Sequence, residues 1–523
     1  MAKKSIVINY VFNVINQLVH IIIPGLIIIY VSRTLGLERL GQYSFASSLI
    51  TYFMIFACLD FSTVSLRKMA KAQHDVRQQS VIFLEICLCR LIPVGLSLIA
   101  NLMLVFTGVY GQYTTIMLIF CLDIVSVAFD VRFFFYGNEE FGRIVLINIV
   151  TKILSAIGIF TFVHQPSDLW IYVLLNSLVV FTSASSTILL LRKRLVKVKL
   201  RELRPLRHLK EAFVLFIPFL ALTTYVSIDN VLIGVILKSN AANAFYTQGE
   251  KIVRRIIGVI ICFNTVMMPH NTREIERGHI EQSKENNYWA FHVVWLLGIP
   301  ITCGTVLIAS NLIPWLLGPG FSETILVMQV FASIILLVSI SNVVAVQFLQ
   351  PRHKDKQCAI SSFLGAGVNL AVTIPLVYYF GIIGTAVATI ITELAVSTYL
   401  LLNVRKELSY KRIFKTALKP LVASLVMTAA IWPLCANLSS SPFHTFLIIG
   451  CGVLVYGIAI LILRDQLVMK YLHKLKIKFS AKAKVQPMET EIVAESNDQT
   501  ESPELVDDVS EEPVIEPIQS GLQ

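Results

Sequence analysis

Apolar runs of roughly 20 residues recur along the whole chain, parted by short polar or charged segments. A helix of about 20 apolar residues crosses the roughly 30 Å of hydrocarbon in a bilayer. Fourteen such runs are predicted, at roughly 8–31, 42–66, 80–107, 114–137, 144–163, 170–191, 212–237, 246–269, 289–309, 323–349, 359–380, 382–403, 417–436 and 444–463. None shows the alternation over about 10 residues that marks an outer-membrane barrel strand. The pattern therefore predicts an all-α polytopic membrane protein. Lys and Arg separate cleanly between alternate loops. On the side of the N-terminus, before the tail, there are 27, against three (Arg33, Arg39 and Lys238) on the other side. The positive-inside rule then puts both termini in the cytoplasm. The opening segment has a basic flank and a run of about 24 residues, too long for a signal-peptide core and without a small-residue cleavage site, so it is read as the first span.

The loops give an organisation. The longest basic loop, RKRLVKVKLRELRPLRHLKE, divides six spans from eight. We expect an N-terminal lobe at 1–191, a basic cytoplasmic linker at 192–211, a C-terminal lobe at 212–403, two extra spans at 404–463 and a tail at 464–523. A weak internal repeat supports two parallel lobes. GLERLGQYSFASS and SNAANAFYTQGEK each place a tyrosine, Tyr43 and Tyr246, where a second helix re-enters the membrane. Parallel repeats place a shared cavity between the lobes, near the bilayer midplane. From Gln486 onward there are 11 acids and no Lys or Arg, with no aromatic residue, so a disordered tail is expected. Segments on the other side of the membrane are short throughout, which argues against an enzyme with a sizeable outer catalytic domain.

Composition agrees: 55% of residues are hydrophobic, 15% charged, and the mean hydropathy is +0.72. The net charge of +11 hides a body of 44 bases against 22 acids. In this setting the excess is an orientation signal, not a nucleic-acid footprint, so no nucleic-acid partner is expected. Nine cysteines lie almost all within apolar runs, and Cys87 and Cys89 are not at CxxC spacing. They read as free thiols, with no metal site.

The candidate chemistry centres on Thr223–Met268. Its second helix carries Lys251, Arg254 and Arg255, three and four residues apart and so on one side. A cation facing lipid at the bilayer centre costs about 2.5–3.5 kcal/mol even on insertion scales, so these should face a wet cavity or an anion. Arg90 and Lys152 also fall at mid-membrane. Arginine matches phosphate oxygens in pairs, which suits an anionic cargo. Deep carboxylates, Asp60, Asp123, Asp130, Asp229 and Glu393, are candidates for carrying a proton or holding a cation. Asp123 and Asp130, seven apart, should share a helix face. Asn13, Asn16 and His20 belong to a polar stripe on the first span, and Pro24 gives it a point to bend. No P-loop, HExxH or paired-Asp sugar-nucleotide motif is present, so neither a cofactor nor bound ATP is expected.

Four stretches resemble the Wzx-type oligosaccharide flippases of the multidrug/oligosaccharidyl-lipid/polysaccharide exporter superfamily: RTLGLERLGQYSFASSLITYF, SIDNVLIGVILKSNAANAFYTQGEKI, LLGPGF and VNLAVTIPLVYYFGIIGTAVATIITE. The resemblance implies a transporter, not an enzyme. Its cargo would be an oligosaccharide repeat unit for surface polysaccharide (O-antigen, lipopolysaccharide or exopolysaccharide), carried on undecaprenyl diphosphate across the bacterial plasma membrane. It also implies alternating access of two lobes with proton or cation coupling. Membrane lipids, a polysaccharide polymerase and a chain-length regulator are the expected partners. One departure is Asp60, where relatives usually show Gly. Alternatives within the superfamily are a lipid II flippase and a drug/cation antiporter. The alternative of another class is a membrane glycosyltransferase or polymerase of the same pathway.

Overall fold

The computed structural model describes residues 23–138, 140–191 and 194–473. Among them every regular element is a helix. The order before the basic loop is α1 (Ile23–Thr34), α2 (Gly36–Cys58), α3 (Phe61–Lys71), α4 (Val76–Phe106), α5 (Thr114–Ile119), α6 (Cys121–Phe129), α7 (Arg132–Gly137), α8 (Phe141–Phe162) and α9 (Leu169–Leu191). Then follow α10 (Leu209–Leu237), α11 (Asn240–Glu276), α12 (Ile280–Leu317), α13 (Ser322–Phe331), α14 (Ile334–Asn342), α15 (Asp355–Val404), α16 (Tyr410–Lys415), α17 (Leu418–Asn437) and α18 (Pro442–Ile462). The chain to Leu463 is one compact unit. The expected acidic tail, Asn13, Asn16 and His20 lie outside the described residues.

Eleven helical stretches among the described residues are long and apolar enough to cross a membrane. The other three expected spans have visible reasons for standing apart. The first is described only from Ile23. The eighth lies in α11, some of whose side chains fall outside the described residues. The eleventh and twelfth run together in α15, which breaks at Gly381 with φ +60° and ψ −140°. That backbone is open to glycine and strained for other residues. Gly384 packs against the Leu376 carbonyl across the same turn, where a Cβ would come within 1.9 Å of the oxygen. Large apolar side chains cover the outside: Phe106 is 81% exposed and Ile462 74%. Such a surface suits lipid and would drive aggregation in water.

Two spans are broken, each for a local reason. Between α2 and α3, Leu59 and Asp60 both adopt left-handed backbone, with φ +43° and +52°. Asp60 caps α3 and accepts from Thr63 Oγ1 at 2.8 Å. Left-handed geometry is strained for a residue with a Cβ and would be open to glycine. Between α6 and α7, Asp130 leaves the helix with ψ 97°. Its carboxylate takes two bonds from the Arg132 guanidinium, at 2.7 and 2.6 Å. Arg90, from α4, donates to the carbonyls of Val127 and Asp130 at 3.2 and 2.5 Å. The Val127 carbonyl keeps only a long bond from the Asp130 amide, at 3.4 Å, and the Asp130 carbonyl lies past the helix end.

The basic segment before α10 is fastened to α3 and α4. Glu85, 1% exposed on α4, accepts from the Arg204 amide at 2.7 Å, from Arg207 at 2.5 and 2.9 Å, and bonds His208 Nε2 at 2.7 Å. Lys68 bridges to His208 Nδ1 at 2.8 Å and to Glu211 at 2.5 Å. An ammonium has no acceptor capacity, so Nδ1 accepts from Lys68 and Nε2–H donates to Glu85.

Candidate functional site

α2 lies along α11 and α10. Between them opens a cavity of about 280 Å³. α1 supplies an apolar wall with Pro24, Ile27 and Val31, and the opposite wall carries Lys152, Lys251 and Arg255. No acid lines it among the described residues. Lys251 Nζ sits 5.8 Å from the centre of the Tyr43 ring, which packs edge-on to Tyr172 at 5.0 Å. Cation–π contact is worth about 0.5–2 kcal/mol and leaves the ammonium free to meet an anion. Arg255 has no ion-pair partner among the described residues. Gln248, 2% exposed, has a side-chain oxygen with no hydrogen bond and also lines the cavity.

A second cavity, of about 210 Å³, lies on the other side of Lys251. It is lined by Ser44, Ser47, Ser48 and Thr51 of α2, by Ser227 and Asn230 of α10, and by Glu250 and Arg254 of α11. Arg254 Nε donates to Glu250 Oε1 at 2.7 Å. The expectation of one common face for the three α11 cations is thus corrected. At 3.6 residues per turn, Arg254 and Arg255 diverge by about 100°, with Lys251 between them. Lys251 faces both cavities, Arg255 the first and Arg254 the second.

Beyond these cavities, near the start of α2, this helix packs tightly against the start of α11. A Cβ on Gly41 would stand 1.8 Å from the Asn240 carbonyl oxygen. Asn240 Nδ2 donates to Glu38 at 2.6 Å, and Tyr113 OH donates to Asn240 Oδ1 at 2.6 Å. Phe45 occupies the space over Gly234, and an Arg33 guanidinium hydrogen reaches the Trp315 carbonyl.

The deep carboxylates take different roles. Asp229, 1% exposed, accepts from Tyr246 OH at 2.6 Å, Thr389 Oγ1 at 2.8 Å and Asn369 Nδ2 at 3.1 Å, with Thr373 Oγ1 at 3.5 Å. Four oxygen- or amide-bearing side chains from three helix segments thus converge on one acid. Glu393 is buried and takes a hydrogen bond from Tyr225. Asp123 is buried with one carboxylate oxygen lacking a partner. Asp60 and Asp130 are helix caps.

Several expectations are corrected by this geometry. Arg90 does not reach either cavity: it is 2% exposed and stacks over Phe61 and Phe133 while stapling the broken span. Asp130 does not share a helix face with Asp123, because the helix ends at Phe129. Lys152, Lys251, Arg255 and Pro24 do come together. Sequence reasoning missed Tyr172, Asn176 and Gln248 in the first cavity, and the hydroxyl wall of the second, of which it named only Lys251 and Arg254. Its signal was present: Ser44, Ser47, Ser48 and Thr51 follow i, i+3, i+4 and i+7 spacing. The partners of Asp229 were unreadable, since three of them lie some 140 residues or more away.

The model of the family described as "Polysaccharide biosynthesis protein" matches residues 6–273. A protein named "Putative O-antigen transporter" from Escherichia coli (strain K12) is 23% identical over 415 residues, covering 77% of this chain and 97% of its own length. A protein of the same name from Shigella dysenteriae is 23% identical over 413 residues, covering 77% and 100%. Among solved structures, the lipid II flippase MurJ in an inward closed conformation aligns with a TM-score of 0.68 at 15% identity. It covers 88% of this chain and all of that one. An inward-facing multidrug resistance MATE transporter of the MOP superfamily aligns at 0.59 and 14% identity, over 76% and 95%. These structures share the fold of this chain.

Proposed function

Because the chain belongs to the polysaccharide biosynthesis protein family and carries the fold of MOP-superfamily transporters, we propose that it flips a lipid-linked oligosaccharide. The cargo is a repeat unit on a polyprenyl diphosphate, moved from the inner to the outer leaflet of a bacterial plasma membrane. The observation that carries this reading is the first cavity. Lys152, Lys251 and Arg255 line it and no described acid does. Lys251 and Arg255, two cations at membrane depth with no ion-pair partner among the described residues, call for an anionic ligand. A diphosphate diester brings two negative charges. The same charge count argues against organic cations as cargo.

In this mechanism the headgroup enters between the lobes and its phosphates meet Lys251 and Arg255, with Lys152 lining the same cavity. The prenyl chain stays in lipid. The closed end at Gly41 and Asn240 faces outward, and the carriage step opens it while the inner ends close. Pro24 lets α1 bend as the lobes move. Asp229 is the coupling group: protonation, or a cation bound among its oxygen-bearing neighbours, biases the lobe equilibrium, with Glu393 and Asp123 as secondary sites. Both termini are cytoplasmic, and a polysaccharide polymerase and a chain-length regulator act beside it.

The test is genetic. Cells carrying Lys251→Ala with Arg255→Ala are analysed for lipid-linked intermediates and surface polysaccharide. Complete repeat units on the carrier lipid, with surface polymer lost, are expected. Truncated sugars would indicate an assembly enzyme, and normal polymer would end the assignment.

A further inference from the structure

The second cavity differs from the first in chemistry. Its α2 wall presents Ser44, Ser47, Ser48 and Thr51 on one helix face. Ser44 is 3% exposed, and its Oγ has no hydrogen-bond partner. A buried hydroxyl left unmade is unfavourable, and a ligand atom would satisfy it. The facing wall is polar yet electrically balanced. The Glu250–Arg254 pair cancels its own charge, and Thr247 Oγ1 donates to Asn230 Oδ1 at 2.6 Å. Lys251 borders this cavity and the cationic one alike.

We infer that the second cavity is a sugar subsite, which takes a neutral, hydroxyl-rich ring beside the diphosphate, with Lys251 marking the boundary between ring and phosphate. The inference rests on the proposal that the cationic cavity holds the diphosphate. An acyl or prenyl chain is a poor occupant, because it would strand the α2 hydroxyls and the ion pair against hydrocarbon. An acidic sugar fits worse than a neutral one, because Glu250 already occupies Arg254 and would face the added carboxylate. A vicinal diol suits the wall: Glu250 accepts from hydroxyls while Arg254 and Asn230 donate to them. The cargo's sugar is then read by hydrogen bonding, separately from the charge that holds every member of its class.

The experiment measures binding of three probes to the purified full chain. One is the methyl diester of a short-chain prenyl diphosphate, which keeps two charges, the second carries a neutral hexose in place of the methyl group, and the third a hexuronate. The neutral glycolipid should bind about tenfold tighter than the bare diphosphate, with each hydrogen bond worth about three- to tenfold. Ser47→Ala with Thr51→Val should erase that advantage and leave the bare diphosphate's affinity as it was. Thr51 Oγ1 bonds its own helix carbonyl at Ser47, so α2 folds without it, and a thermal melt checks this. Glu250→Gln should turn the preference toward the hexuronate by freeing Arg254. Equal binding of bare and sugar-bearing lipid by the wild-type chain overturns the subsite and leaves the flippase reading standing. Equal weakening of all three probes by the double variant also overturns it. Failure of the wild-type chain to bind any of the three overturns both readings.

Discussion

Gly41 gives a sharp test of how the lobes close. An added Cβ would sit 1.8 Å from the Asn240 carbonyl oxygen, 2.3 Å from its carbon and 2.9 Å from its Cα. Contacts under 3.0 Å are essentially never seen, and here the neighbour is backbone, so no rotamer relieves the clash. Gly41→Ala therefore moves α2 off the start of α11 by at least 1.2 Å at this point. A shift of that size stretches the 2.6 Å bond from Asn240 to Glu38 beyond hydrogen-bond range. This bond is to a carboxylate, and with the overpacking its loss comes to about 2–3 kcal/mol against the closed arrangement. That is about a 30- to 150-fold shift in the lobe equilibrium toward opening at this end. Spin labels at Arg39→Cys and Lys238→Cys, in a chain cleared of native cysteines, report the separation by double electron–electron resonance. Gly41→Ala should move the population toward longer distances, and Gly41→Val should move it further. An unchanged distribution with full transport would refute the close approach and the gating argument built on it.

Other perturbations separate architecture from transport. Arg90→Ala should lower thermal stability by about 3 kcal/mol, since two carbonyls of the broken span lose a charged donor. Any surviving folded protein should bind prenyl diphosphate normally, as calorimetry would show. Asp60→Gly should leave the melting temperature unchanged or raise it, because relief of left-handed strain of about 1–2 kcal/mol offsets the lost Thr63 bond; Asp60→Val should lower it. Asp229→Asn should keep substrate binding but uncouple transport from an imposed ion or proton gradient, read in proteoliposomes; undiminished gradient-driven transport would move the coupling role elsewhere. Glu85→Gln should free the basic linker, read as faster proteolysis within 194–208, while the helices stay folded.

Most of the architecture was legible because the bilayer forces it. A span needs about 20 apolar residues whatever its neighbours, so run lengths and basic loops mark the helices. The break between the eleventh and twelfth spans falls at Gly381, where the apolar pattern pauses. The α11 cations were legible for the same reason, since charge inside hydrocarbon needs an explanation. Roles were harder to read than depth. Arg90 and Lys152 look alike in sequence, yet one staples a helix break and the other lines the cavity. The difference is made by Asp130, whose exit from the helix no periodicity announces. Asp60 looked like an extra acid; its left-handed backbone makes it a cap. Asp229 drew attention as a lone acid, while its ligands from α15 are fixed only by tertiary packing. The second cavity was hidden by its ordinariness, because serines on a membrane helix usually bond their own backbone, as Ser48 does to Ser44.

The most direct measurement is leaflet transfer of a fluorescent prenyl-diphosphate-linked sugar by the purified chain in proteoliposomes. The wild-type chain should move the probe between leaflets, and Lys251→Ala with Arg255→Ala should abolish that movement while the melting temperature holds. Transfer at the wild-type rate by the double variant would contradict the claim that the cationic cavity carries the headgroup.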